Sequence, residues 1–375
     1  MKYLNKKQHH KKKDIRLGKN GVKLLFIGGC LIFSFGLLAA ARYFPAFAEF
    51  YAKYIYPLWV NTLGRFMSLF PVSVVEILLY LLIIYILIGF FRILIFKKDG
   101  RLRRLGRGML TFLVFASALF ASYTINCGIN YYRHTFAEEA GLEIKERSVD
   151  ELIALCEKLT ARVNTYSESI VRNKHGLCVL ETDTGERAVE AMHAVSEEFS
   201  ALAGYYPRPK GLIVSQILSY QQLTGIYSPF TIEANYNRQM TSYNIPFTMC
   251  HELSHLRGFM REDEANFIAY AACLASDDVD FNYSGALTGW IYATNALYKI
   301  DPEAYSGIYE QLSEEVLTDL QANNDFWDSY EGTISKVANQ VNDSYLKANQ
   351  QTDGVMSYNR MVDLMLAYED KGDVQ

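Results

Sequence analysis

The chain has 375 residues, half of them apolar, and a formal net charge of −4. That figure conceals an asymmetry. Residues 131–375 hold 18 basic and 37 acidic side chains, a net charge of −19, which excludes a nucleic-acid-binding module and a surface for anionic lipid headgroups. The six cysteines include no C-x-x-C pair, so a zinc knuckle or a dithiol redox centre is not expected, and free, mostly buried thiols are.

Residues 1–23 form a basic tail with nine Lys and Arg. Apolar stretches follow at 24–43, 72–96 and 109–129, each near the roughly 20 residues that a helix needs to cross about 30 Å of hydrocarbon. Three such runs in quick succession, with basic flanks, read as membrane spans rather than core helices. The loop 97–108 carries six basic residues, whereas 44–71 carries only Lys53 and Arg65. Basic loops stay in the cytoplasm. The expected topology therefore puts the N-terminus inside and residues 130–375 outside the cytoplasmic membrane. "PAFAEF" offers an A-x-A site at Ala46 and Ala48, but the long basic tail and two further spans favour an uncleaved signal anchor. Glu76 is the one acidic residue near a span, too little intramembrane charge for a transporter.

The 44–71 loop is rich in Tyr, Trp and Phe and is expected to lie along the membrane surface as an amphipathic anchor. From 148 the pattern turns helical. Ser148 and Glu151 form a capping-box signature, and "GERAVEAMHAVSEEFSALAG" repeats apolar residues at three- and four-residue spacing. "KGLIVS" (210–215) reads as a strand, and 224–237 as an edge strand or irregular loop around Pro229. Helices are expected at 246–257, 262–275, 285–299, 302–322, 326–349 and 355–369. The fold class is mainly α: three transmembrane helices, then a mostly helical α+β domain with a small sheet over 130–375.

"TMCHELSHLRGFMREDEANF" (248–267) concentrates the chemistry. His251 and His255 stand four apart, on one helix face, so both imidazoles reach one ion. Glu252 follows the first histidine, where it can take a proton from a water that zinc acidifies to a pKa of about 7. Pro246 suits the helix start, and Gly258 breaks the helix three residues after His255, letting the chain return under the metal. The spacing H-E-x-x-H-x-x-G-x-x-H of metzincins fails, because Arg261 fills the third-ligand slot and a guanidinium cannot bind zinc. His134, His175 and His193 are scattered and read as surface or core residues, and Cys250 reads as packing.

The segment "REDEANFIAY" resembles the R-E-x-E-A-D stretch of membrane-bound gluzincins such as CAAX prenyl proteases and heat-shock membrane peptidases. That resemblance implies Glu262 as third zinc ligand, with Glu264 as the alternative, and Asn266, in place of the usual Asp, as support for a ligand histidine. From "GIYSPFTIEANYN" through "IPFTMCHELSHLRGFMREDEANFIAYAAC" the chain also resembles an uncharacterised family of bacterial three-span membrane proteins, a domain of unknown function numbered 3810. It implies the architecture and a zincin-like site but no substrate. In zincins an extended strand upstream of the metal helix holds the peptide, so Tyr227 and Glu233 are candidate substrate-binding residues. An oxyanion donor is also needed; Tyr270, Tyr345, Tyr358 and Arg360 are candidates, with Tyr358 favoured.

The sequence thus points to a membrane-anchored zinc peptidase holding one Zn²⁺, with a peptide or protein substrate, bilayer lipid around three helices and no nucleic-acid partner. The rival is a zinc-binding sensor or scaffold without turnover. An embedded intramembrane protease is disfavoured, because the metal helix is short and charged around.

Overall fold

The computed structural model describes residues 18–95, 101–180, 182–349, 351 and 360–373. Most of the basic tail lies outside them. Three helices are long and apolar enough to cross a membrane: α1 (Lys19–Tyr43), α5 (Val74–Ile95) and α6 (Arg101–Asn126). The third span begins earlier than expected, so the basic residues from Arg101 open a helix rather than fill a loop. α1 packs along α6.

The aromatic loop between the first two spans is helical almost throughout: α2 (Pro45–Phe50), α3 (Tyr56–Trp59) and α4 (Arg65–Ser68) are joined by π-helical stretches at Tyr51–Ile55 and Val60–Gly64. Ala48, Ala52, Tyr56, Val60 and Gly64 are all buried. An α-helix of 3.6 residues per turn would rotate a strict four-residue repeat off one face, and the wider π turns keep it there. The other face leaves Phe50, Tyr54 and Leu58 exposed. The segment is amphipathic as expected, but its inner face is part of the domain core.

The remaining elements are α7 (Phe136–Ala140), α8 (Val149–Ser167), α9 (Thr184–Glu198), β1 (Lys210–Gly211), α10 (Gln216–Ser219), β2 (Gly225–Ser228) and β3 (Glu233–Tyr236). Then come α11 (Asn244–Leu256), α12 (Glu262–Ala275), α13 (Val279–Ile300), α14 (Pro302–Tyr309), α15 (Glu314–Asp328), α16 (Thr333–Ala348) and α17 (Arg360–Asp373). The predicted capping box at α8 forms: Ser148 Oγ accepts from Glu151 N at 3.2 Å and Glu151 Oε2 from Ser148 N at 2.7 Å. The strand expected over 210–215 shortens to two residues, because the chain turns into α10 at Ser215. The two long helices expected over 302–349 become three. Ser313 caps α15 by accepting from Val316 N, and the chain breaks again at Gly332.

The sheet order is β1-β3-β2, with β1 parallel and β2 antiparallel to β3. α11 lies at the centre, between β2 and β3 on one side and α12 and α13 on the other. Close packing there depends on two glycines of α13. A Cβ at Gly285 would lie 2.6 Å from Cys273 Cβ, and one at Gly289 2.7 Å from the Tyr270 ring. All six cysteines are free thiols, and Cys250 and Cys273 face each other in this core with sulfurs 4.0 Å apart.

Candidate metal centre

α11 puts His251 and His255 on one face, their ring centroids 4.6 Å apart. The helix ends at Leu256, and Gly258 adopts φ +96°, a left-handed conformation that glycine takes without a Cβ penalty. The chain reverses and α12 starts at Glu262. That carboxylate faces back toward both rings: Oε2 lies 3.3 Å from His251 Nε2 and Oε1 3.6 Å from His255 Nε2. Ligand atoms of the three residues all lie within 4.8 Å of one another. Donors about 2.1 Å from a tetrahedral ion stand roughly 3.4 Å apart, so the set fits zinc after small adjustments.

The surroundings orient these side chains. His255 Nδ1 lies 2.8 Å from Phe259 O. A carbonyl only accepts, so Nδ1 carries the proton and Nε2 keeps a free lone pair toward Glu262. Asn266, one turn after Glu262, stands beside His251 and favours its charged form, although His251 Nδ1 and Asn266 Nδ2 make no close hydrogen bond. Tyr292 lies beside the Asn266 side chain, which opposes the upward push of burial on its hydroxyl.

Burial and charge oppose each other across the cluster. Burial pushes the His255 imidazole down to about 4, outweighing attraction to Glu262. Burial also disfavours charge on His251, but the hydrogen bond and charge of Glu262 win and raise it. Glu262, equally buried, is held below the usual carboxylate range by the two imidazoles. At Glu252 burial wins over the attraction of His251 and pushes the carboxyl up to about 8, and its Oε2 has no hydrogen-bond partner. Its other oxygen fits against β2, where a Cβ at Gly225 would lie only 2.5 Å from Oε1. Gly225 is therefore required for Glu252 and the sheet edge to coexist.

The other expected site residues divide. The Tyr227 ring lines the cleft, 6.5 Å from the His255 ring, but its hydroxyl lies 2.9 Å from Tyr56 Oη and 3.3 Å from Asn126 O. Only the ring face is open to a ligand. Glu233 is a correction: it does not face the cleft. Its carboxylate bonds Lys210 Nζ at 2.5 Å and accepts from Val74 N and Val75 N, capping the second span. Glu76 answers from that span by accepting from Ile213 N and Val214 N, both at 2.8 Å. Glu264 is a second correction. It points away from the histidines, accepting from Phe136 N at 2.9 Å and Arg261 Nη1 at 2.8 Å, so it cannot be the third ligand. Tyr270 is buried and bonds Arg162. Tyr345 lines the cleft. Tyr358 lies outside the described residues.

The cleft measures about 1270 Å³ and opens beside His251, Glu252, His255 and Glu262. Sequence reasoning missed Tyr292, Gly225 and the α16 wall. The one available signal was on α13, where Thr288, Ile291, Tyr292 and Asn295 share a helical face that the cleft exposes. The model of a family described as a protein of unknown function (DUF3810) matches residues 51–366, and the chain belongs to that family. No curated protein and no solved structure matches it.

Proposed function

We propose that this member of the DUF3810 family is a membrane-anchored zinc-dependent peptidase of gluzincin type, with its helical domain outside the cytoplasmic membrane. One observation carries the reading: donor atoms of His251, His255 and Glu262 converge within 4.8 Å at the side of an open cleft that also holds Glu252. Zinc, when bound, would supply Lewis acidity and a water of pKa near 7. Glu252 is the general acid–base group. It adjoins the first ligand histidine, lines the same cleft, and its Oε2 is left without a hydrogen-bond partner, ready to take and return a proton. His255 and His251 serve as neutral ligands, and Phe259 O fixes the His255 tautomer. Tyr292 is the donor for a developing oxyanion, because it lines the cleft beside Glu262 and Asn266.

Substrate positioning follows from two features. Among the described residues β2 pairs with β3 alone, so its other edge is free to align an extended chain by strand addition. Tyr227 also joins the centre to the membrane: its ring neighbours His255, and its hydroxyl reaches Asn126, the last residue of α6. Peptide segments close to the bilayer are the natural substrates.

The test uses the full-length protein in lipid nanodiscs. Zinc content is measured by mass spectrometry, and an unbiased peptide library is digested with wild type and with Glu252→Gln. The expected result is one zinc per chain in both and cleavage by wild type alone. Zinc without Glu252-dependent cleavage would support a sensor or scaffold, and absence of zinc would remove both readings.

A further inference from the structure

α16 carries Ile334, Val337, Val341 and Tyr345 at helical spacing on one face, and all four line the cleft. The first three remain 59%, 54% and 63% exposed, although a surface helix normally turns such a stripe onto a core. The helix is held near its C-terminal end instead, where Leu346 is buried. There Tyr345 Oη lies 3.3 Å from Tyr123 Oη and 3.2 Å from Tyr131 Oη, and Asn349 Oδ1 accepts from Tyr123 at 2.7 Å. The result is a strap fixed to the third span, presenting an uncovered apolar wall to the centre. A contiguous wet stripe of this kind marks a binding surface.

Charge decides the occupant. Among the described residues no Lys or Arg lines the cleft, and Glu252 and Glu262 are the acidic side chains that do. A free peptide carboxylate meets no cationic side chain among these residues, and both carboxylates are committed to the metal centre, so neither is left to pair with a free ammonium. Neutral amides such as Asn295 and Asn342 suit main-chain groups instead. The volume, about 1270 Å³, also exceeds the roughly 300–1,000 Å³ typical of small-molecule sites. We infer that the cleft takes an internal, uncharged and apolar segment of a polypeptide, and that Ile334, Val337 and Val341 select its side chains. The enzyme is therefore an endopeptidase. The turnover part rests on the peptidase reading, whereas recognition of the segment does not.

Two measurements on full-length protein in nanodiscs keep these apart. First, binding of a fluorescent apolar octapeptide, blocked at both ends, is followed by anisotropy on the Glu252→Gln protein. The expected result is saturable binding that weakens about tenfold with Val337→Asp or Val341→Asp added and is kept with Val337→Leu. Binding that ignores these substitutions, that prefers charged or unblocked peptides, or that a fatty acid replaces at the same wall would overturn the inference. Second, wild type is given blocked and free peptide libraries. Cuts inside blocked peptides, flanked by apolar residues, are expected, and cuts confined to free ends would overturn the endopeptidase assignment. Peptide binding that depends on α16 without any cleavage would sink the peptidase reading and leave the recognition surface standing.

Discussion

His251, His255 and Glu262 share their geometry with a second group, Glu49, His134 and Glu139: in each, ligand atoms lie within 4.8 Å of one another. The resemblance ends at charge. In the second group Lys53 Nζ sits 2.9 Å from Glu49 Oε1 and 3.0 Å from Glu139 Oε1, so an ammonium already balances the carboxylates. Burial would raise the Glu49 carboxyl, but the His134 N–H and Lys53 hold it below the usual range. His134 is half exposed, and the cluster ties the aromatic helix to the start of α7. Around His251 and His255 no Lys or Arg among the described residues supplies a cation. Arg257, two residues after His255, packs against Gly204, and Arg261, beside Glu262 in sequence, is turned to Glu264 and to the carbonyls of Tyr131 and Arg133. Converging donors are common; converging donors that lack a positive charge are what a metal requires.

The sharpest way to break this comparison is His255→Ala. With one of three donors gone, zinc content by mass spectrometry should fall to background and cleavage should vanish with it, whereas His134→Ala should leave both unchanged. Next in size is Glu252→Gln. Here zinc should stay at wild-type stoichiometry while kcat drops about 10²–10⁴-fold, the usual worth of a general acid–base group. Loss of zinc in that variant would mean that Glu252 is a ligand rather than a proton carrier.

How far the sequence reached depends on how local each feature is. The two histidines and the Gly258 turn were legible because helix periodicity fixes neighbours three and four residues apart. The capping box at Ser148 was legible for the same reason, whereas Glu262 and Asn266 were named through the resemblance to gluzincins. Glu233 was misread because its partners Val74 and Val75 lie 159 and 158 residues away. No local pattern announces that a strand carboxylate caps a membrane helix. Gly225 looks like a turn residue until the Glu252 carboxylate is seen against it. The breaks at Ser313 and Gly332 were overrun because apolar periodicity continues through them, and with them went α16 as a separate wall.

Asn266→Ala gives a smaller, graded effect. Partners that orient metal-bound histidines typically contribute 10–100-fold in metal affinity. Competition with a chelator should show zinc released 10–100-fold more readily, with the protein still folded. Asn266→Asp, which restores the residue usual at this position in the resembling gluzincins, should hold zinc at least as well as wild type. An unchanged affinity in Asn266→Ala would leave His251 oriented by its helix alone.

The smallest effect addresses the charge argument directly. Lys53→Met removes the ammonium and leaves Glu49, Glu139 and His134 facing one another. Lys53 is 44% exposed, and partly exposed ion pairs contribute about 0–1 kcal/mol, so the urea midpoint should move little. If a missing positive charge is what distinguishes the two clusters, this variant should bind a second divalent ion, visible in a Co²⁺ titration as a weaker step absent from wild type. A variant that still takes up one ion would assign the difference to burial, since His134 would remain too wet to hold its share of the coordination.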